Sequence, residues 1–97
     1  MRAVRWNKLA RQDYLENIDY LLQNWSEKEA QKFIDEVFEI ERILANGNIE
    51  FQNTDRNGIK CCVINRQISL FYRVIHNENI EFLRFWNNNQ SLKNLNF

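Results

Sequence analysis

Residues 58–89 read GIKCCVINRQISLFYRVIHNENIEFLRFWNNN, and this stretch decides the fold. It contains three runs rich in β-branched and aromatic residues, separated by short polar turns. The pattern predicts strands over residues 58–65, 68–75 and 80–86. Because short loops join antiparallel neighbours, we expect these strands to form a three-stranded meander.

Two helices are predicted before the meander. Asn7 can cap a helix over residues 8–24, and the capping-box spacing of Ser26 and Glu29 indicates the start of a second helix. The second helix should end at Asn46-Gly47, followed by a polar loop over residues 48–57. The short connection between the helices predicts an antiparallel helical hairpin. With an opening strand at residues 3–6, the order is β-α-α-β-β-β, an α+β fold in which the hairpin covers one face of an antiparallel sheet.

The apolar residues of both helices recur at spacings of three and four, which predicts one buried stripe on each helix. The residues expected on these stripes are Leu9, Tyr14, Ile18, Leu21, Leu22 and Trp25 in the first helix, and Ala30, Phe33, Ile34, Val37, Phe38, Ile40 and Leu44 in the second. Asp13, Glu16 and Asp19 are expected on the solvent side. Trp6 joins Trp25 in the expected core.

Length and composition favour a single globular domain over residues 1–97. The chain is 44% hydrophobic and 27% charged, which argues against disorder. It has neither a signal-peptide pattern nor the ~20 apolar residues of a membrane span, so a cytoplasmic location is expected. The asparagine-rich tail, residues 88–97, is expected to be flexible, although Leu92, Leu95 and Phe97 could dock.

Cysteine and histidine usage argues against a metal site or a cofactor. Cys61 and Cys62 are adjacent in a predicted strand, where successive side chains point to opposite faces and cannot pair. His76 is the single histidine, and the spacing of zinc ligands is absent.

Charge is unevenly distributed along a chain of zero net charge. Residues 1–12 carry four basic residues and no acidic ones, whereas residues 13–50 hold ten acidic residues against three basic ones. Residues 51–97 hold six basic residues against three acidic ones. This asymmetry is a weak indication of an anionic partner at the basic parts; alternatively, the helices are acidic because glutamate favours helices.

The chain resembles the RelE/ParE family of bacterial toxins from type II toxin–antitoxin systems. The opening VRWNKLARQDYLENIDYLLQNWSEKEAQKFIDEV is similar to that family's first strand and helical hairpin. RQISLFYRVIHNENIEFLRFW is similar to its closing β-hairpin. The resemblance implies a growth-inhibiting toxin of a plasmid-stabilisation type, neutralised by a cognate antitoxin protein. Its target would be either DNA gyrase, as for ParE-like members, or messenger RNA on the ribosome, which RelE-like members cut without metal.

An RNA-cleaving member would need a base, an acid and several cations around the phosphate. Lys60 and Arg66 stand on or next to the strand where the family carries basic residues, so the resemblance implies a phosphate-holding role for them. Arg73 and Arg84 are strand arginines that could join them on phosphate or bind a partner's carboxylate. Trp86 could contact a partner as well, although a core role is the commoner one for a strand tryptophan. The alternative for the arginines is a sheet-surface role, with their stems covering apolar surface. His76 could act as a general acid, but a role as a turn residue is the simpler interpretation.

The chain departs from the nuclease pattern in three respects. Ser69 stands where relatives often carry an arginine, and Asn88-Asn89-Gln90 replaces a segment that commonly includes one. No tyrosine or histidine follows Trp86. These departures favour a binding protein over an RNase, with a non-toxic interaction module as a third alternative.

Overall fold

The computed structural model describes residues 2–47, 51–56, 58–76 and 79–97. The predicted loop at residues 48–57 and the predicted turn at residues 76–79 lie partly outside this set. The elements in chain order are β1 Ala3–Trp6, α1 Lys8–Asn24, α2 Glu27–Asn46, β2 Gln52–Asn53, β3 Ile59–Val63, β4 Ile68–Ile75, β5 Asn79–Asn87 and a short 3-10 helix, Leu92–Asn94. The predicted strands and helices are confirmed to within two residues at each end.

The sheet has five strands in the order β1-β5-β4-β3-β2. The meander β3-β4-β5 is antiparallel as predicted, but β1 runs parallel to β5. The sheet is therefore mixed rather than wholly antiparallel. β1 and β5 are far apart in sequence, so no short hairpin turn forces them to be antiparallel. The sequence-based prediction also missed β2, which is too short and too polar to give a strand pattern.

Both helices begin and end as the sequence predicts. The Asn7 side chain accepts from the Ala10 amide at 2.7 Å, and Ser26 Oγ accepts from the Glu29 amide at 3.2 Å. Gly47 follows α2 with φ = 76°, the left-handed conformation that glycine adopts most easily.

None of the described helices has the length and apolarity needed to cross a membrane.

The main core lies between the helical hairpin and one face of the sheet. Phe33, Val37 and Leu44 of α2 are buried against Leu70, Tyr72, Phe82 and Phe85 of the sheet. The Trp6 ring lies 4.9 Å from Tyr14 and 5.0 Å from Phe85, between centroids. Its Nε1 donates to Glu41 at 2.8 Å. Trp6 is therefore partly buried and packs against the core, rather than lying fully within it as predicted.

Several burial predictions are wrong. Leu9, Leu22, Trp25 and Phe38 are exposed, with Trp25 at 58% and Phe38 at 67% of the maximum. The apolar residues of each helix extend beyond the strip that meets the sheet, and Trp25 lies past the last turn of α1. Conversely, Asp13 was expected in solvent but is only 8% exposed, because it turns toward the end of β5.

Candidate functional site

The sheet has a second face, opposite the helices, which we call the outer face. Its rows follow from the strand register: Ile59 pairs with Arg73 and Arg73 with Glu81, while Cys61 pairs with Phe71 and Phe71 with Arg84. A third row joins Ser69 to Trp86. Because side chains alternate along a strand, these residues point away from the helix-facing Leu70 and Tyr72. The outer face thus combines aromatic residues with arginines.

The C-terminal tail, residues 88–97, packs on this outer face. Leu95 is buried together with Phe71 and Trp86. The Phe97 ring contacts Phe71, with centroids 5.6 Å apart. The docking expected of Leu95 and Phe97 is confirmed, whereas the side chain of Leu92 lies outside the described set. The predicted flexibility of the tail stays a prediction.

Arg84 is held in place by Asp13 of α1. Its Nε donates to Asp13 Oδ2 at 2.6 Å and its Nη2 donates to Asp13 Oδ1 at 3.0 Å. The hydrogen bond to Asp13 raises the pKa of Arg84, against the lowering effect of burial. The third nitrogen, Nη1, donates to the carbonyl oxygen of Asn96 at 2.8 Å. The guanidinium charge is therefore paired with Asp13, and each of its three nitrogens donates a hydrogen bond within the protein.

Arg73 is the more accessible arginine. Its side chain is 52% exposed, and its Nε and Nη2 each lie 2.7 Å from Glu81 Oε1 across the β4–β5 pair. Arg5 of β1 stands opposite Glu81 in the parallel register. A ligand carboxylate or phosphate could therefore reach Arg73 from solvent, in competition with Glu81.

The remaining predicted cations do not join Arg73 and Arg84. Lys60 pairs in register with Tyr72, which is buried on the helix side, so Lys60 leaves the sheet on the side opposite Arg73. Its Nζ donates to Asn53 Oδ1 at 2.8 Å. Arg66 is exposed in the turn between β3 and β4. The structure thus brings two of the four predicted phosphate-holding residues to one face, and the functional roles of all four stay predictions.

Trp86 lies on the outer face, beneath the tail. It is 4% exposed, and the Arg84 guanidinium carbon is 5.2 Å from its ring centroid. Contact between Trp86 and another protein therefore requires the tail to move. Its predicted partner-binding role stays a prediction.

A groove of about 570 Å³ opens beside the tail. Its lining residues are Gln52, Asn53, Thr54, Asp55, Arg56, Cys61, Phe71, Lys93, Leu95 and Phe97. Arg56 lies 4.9 Å from the Phe97 ring centroid and donates to the Leu95 carbonyl oxygen at 3.3 Å. Arg56 lies in the predicted polar loop over residues 48–57, where a solvated charge is the simplest expectation, and the sequence does not single out Lys93. The only sequence signal for this groove is the apolar spacing of Leu95 and Phe97.

The positions that depart from the nuclease pattern contact each other. Ser69 Oγ donates to Asn88 Oδ1 at 2.9 Å, at the end of the sheet where β4 begins and β5 ends. Ser69 is buried. A neutral hydrogen bond thus occupies this part of the outer face, next to the Asn89 position.

Comparison with known families settles the relationship of this chain. A family model described as the ParE toxin of type II toxin–antitoxin systems matches residues 4–92. The chain belongs to the ParE toxin family. It is accordingly the toxin component of a type II toxin–antitoxin system. The search of curated proteins found no match.

Solved structures share the ParE-family fold at low sequence identity. The chromosomal ParDE system from P. aeruginosa has a TM-score of 0.73 at 19% identity, covering 90% of this chain and 96% of that one. The YoeB–YefM complex from Staphylococcus aureus has a TM-score of 0.58 at 19% identity, covering 91% and 98%. The E. coli DinJ–YafQ complex has a TM-score of 0.62 at 9% identity, covering 92% and 96%. These similarities confirm the predicted RelE/ParE-like architecture.

The histidine and the outer-face cysteine of this ParE-family toxin have different surroundings. His76 is exposed in the turn that follows β4. Burial raises the pKa of the Cys61 thiol, which disfavours the reactive thiolate. Among the described residues, no group of histidine, cysteine, aspartate and glutamate side chains could hold a metal ion.

Proposed function

We propose that this ParE-family toxin inhibits growth by binding a protein target, DNA gyrase, rather than by cutting messenger RNA. The observation that carries the proposal is the Ser69–Asn88 hydrogen bond. It fills a part of the outer face where the resemblance to RNA-cleaving relatives would place cations. Cleavage of a phosphodiester needs cations around the phosphate together with an acid and a base.

The placement of the other cations supports the same proposal. Lys60 leaves the sheet on the side opposite Arg73, and Arg84 is neutralised by Asp13. Arg73 alone, among the four predicted residues, combines the outer face with high exposure. One accessible arginine fits a protein contact better than a phosphate-binding cluster.

We also propose that a cognate antitoxin neutralises this chain inside the bacterial cytoplasm. The support is that two solved structures with the same fold, YoeB–YefM and DinJ–YafQ, are toxin–antitoxin complexes. An antitoxin carboxylate could replace Glu81 as the partner of Arg73, since charge-assisted bidentate bonds are strong and geometrically specific.

The proposal is tested by inducing the chain in cells that lack an antitoxin. We expect replication to stop and DNA supercoiling to change while pulse-labelled protein synthesis continues. Arg73→Gln should lower toxicity about tenfold, the scale of one lost charge-assisted hydrogen bond. A rapid loss of translation with cleaved messages would contradict the proposal and indicate an RNase.

Arg42→Gln is the matched control for Arg73→Gln. Arg42 is also an exposed arginine paired with a glutamate, Glu39, but it lies on α2, away from the outer face. Its substitution removes the same charge from the chain. Equal loss of toxicity in both variants would mean that overall charge, rather than the outer face, matters.

A further inference from the structure

We infer that Asp13 is a positioning residue which, through Arg84, latches the C-terminal tail onto the outer face of the sheet. We call the chain of contacts from Asp13 through Arg84 to Asn96 the latch. It joins the first helix to residues near the C-terminal end of the tail. It is a property of this chain's own contacts and does not depend on which target the toxin binds.

The first part of the latch is the Asp13 carboxylate. Its Oδ2 accepts from Arg84 Nε at 2.6 Å and from the Phe85 amide at 3.1 Å, and its Oδ1 accepts from Arg84 Nη2. Asn17, one turn later, donates to the Phe85 carbonyl oxygen at 3.2 Å. Asp13 and Asn17 together satisfy the backbone of β5 at Phe85, so Asp13 is fixed in position.

The second part is the guanidinium of Arg84. A bidentate carboxylate fixes the plane of a guanidinium, and here Asp13 uses the Nε and Nη2 edge. Nη1 donates to a different acceptor, the Asn96 carbonyl oxygen, at 2.8 Å. The orientation that Asp13 imposes is thus the orientation that holds the tail.

The tail has a second attachment at Arg56. Arg56 donates to the Leu95 carbonyl oxygen at 3.3 Å and stacks on Phe97. Arg56 and Arg84 thus donate to the carbonyl oxygens of two neighbouring tail residues, Leu95 and Asn96. Leu95 between them is buried with Phe71 and Trp86.

The covered surface favours opening in one respect. Trp86 Nε1 is buried without a hydrogen-bond partner within the described part of the chain. A buried N–H that lacks an acceptor loses its hydration without compensation. Displacement of the tail would give this N–H access to water or to a partner's acceptor.

The latch therefore controls access to an aromatic binding surface. With the tail docked, Phe71 and Trp86 are covered; with the tail released, both are presented next to Arg84. A partner that uses Trp86 has to compete with residues 95–97 for the same place.

Cys61 provides a native reporter of tail opening. It lies on the outer face, packed against the cluster of Phe71, Trp86 and Leu95. Its neighbour Cys62 is buried in the main core, where burial raises the pKa to about 12. Cys61 is half-buried beside the groove, so an aromatic disulfide reagent such as DTNB should modify it slowly while the tail is docked and faster when the tail opens. Cys62 should react only when the whole domain unfolds.

The experiment measures the modification rate of each thiol by peptide mass mapping in the full-length chain. In Asp13→Asn, which keeps the side-chain volume, we expect the Cys61 rate to rise about tenfold, the scale for loss of a charge-assisted hydrogen bond. The Cys62 rate should not change. Phe97→Ser, which removes the aromatic anchor of the tail, should raise the Cys61 rate as well, and Arg42→Gln should leave both thiols as in the wild type.

If Asp13→Asn fails to fold, Arg84→Lys is the variant that tests the latch. A lysine keeps the charge beside Asp13 but cannot bond Asp13 at two atoms and Asn96 at the same time. Selective exposure of Cys61 in either folded variant supports the latch. A wild-type Cys61 rate in a folded variant overturns it, as would parallel rises of both thiols in a chain that remains folded by circular dichroism.

Discussion

Two adjacent thiols have opposite surroundings in this protein. Cys61 faces the tail, and Cys62 faces the main core. Burial raises the pKa of both thiols, and that of Cys62 reaches about 12. Strand alternation predicts their separation onto two faces, but sequence alone does not say which face is sealed by the helices and which by the tail.

The raised pKa of Cys62 makes stability depend on alkaline pH. The unfolded thiol ionises from about pH 9, whereas the folded thiol resists ionisation until about pH 12. The stabilisation is present below the unfolded pKa and is lost as pH rises through this window. From pH 8 to 10.5 we expect the wild type to lose about 1 kcal/mol more unfolding free energy than Cys62→Ala, a value reduced for solvent screening.

Urea denaturation at the two pH values measures this difference. Cys61→Ala is the matched control, because it removes a thiol from the adjacent position but keeps Cys62. Because burial raises the pKa of Cys61 as well, Cys61→Ala should lose less unfolding free energy than the wild type but more than Cys62→Ala. Parallel curves for the wild type and Cys62→Ala would show that the thiol does not titrate differently in the two states.

At the scale of single elements, local rules predicted most of the chain. Both helix N-caps, the glycine that ends α2 and the three-stranded meander follow from short-range patterns. Those same patterns overestimated the buried stripes, since Phe38 fits the α2 stripe by spacing but is exposed. Helical periodicity identifies the apolar side of a helix. The number of apolar side chains that are buried on that side depends on which other elements pack against the helix.

The Ser26 cap gives a quantitative test at this scale. Ser26 Oγ accepts from the Glu29 amide at the start of α2. Ser26→Ala removes this acceptor and should lower the unfolding free energy by about 1 kcal/mol. Ser26→Asp should keep it near the wild-type value, since aspartate also caps helices. Equal destabilisation by both substitutions, measured by urea denaturation, would show that the hydroxyl is needed for something other than capping.

At the scale of the whole molecule, contacts between distant parts of the chain escaped prediction. Asp13 and Arg84 are 71 positions apart, and the spacing of Asp13 within α1 placed it in solvent. The prediction that Arg73 and Arg84 could share a face is consistent with the register, but Lys60 does not join them. A site assembled from separate elements depends on register and on the path of the tail, which local patterns do not encode.

Trp6 illustrates how much one residue can connect at this scale. It belongs to β1, packs on Tyr14 of α1 and on Phe82 and Phe85 of β5, and donates to Glu41 of α2. Trp6→Ala should lower the unfolding free energy by about 3–5 kcal/mol. Trp25→Ala removes an equal side chain from an exposed position and should cost less than about 1 kcal/mol. Similar urea midpoints for the two variants would contradict this assignment of the core.

The pairing of β1 with β5 has a consequence for how this toxin is made. In the described residues the first strand of the chain has the last strand as its partner, with Val4 opposite Ile80. During synthesis, β1 therefore emerges from the ribosome long before its partner exists. The sheet can close only after β5 has been synthesised, so a nascent chain interrupted before residue 79 lacks both the finished sheet and its outer face.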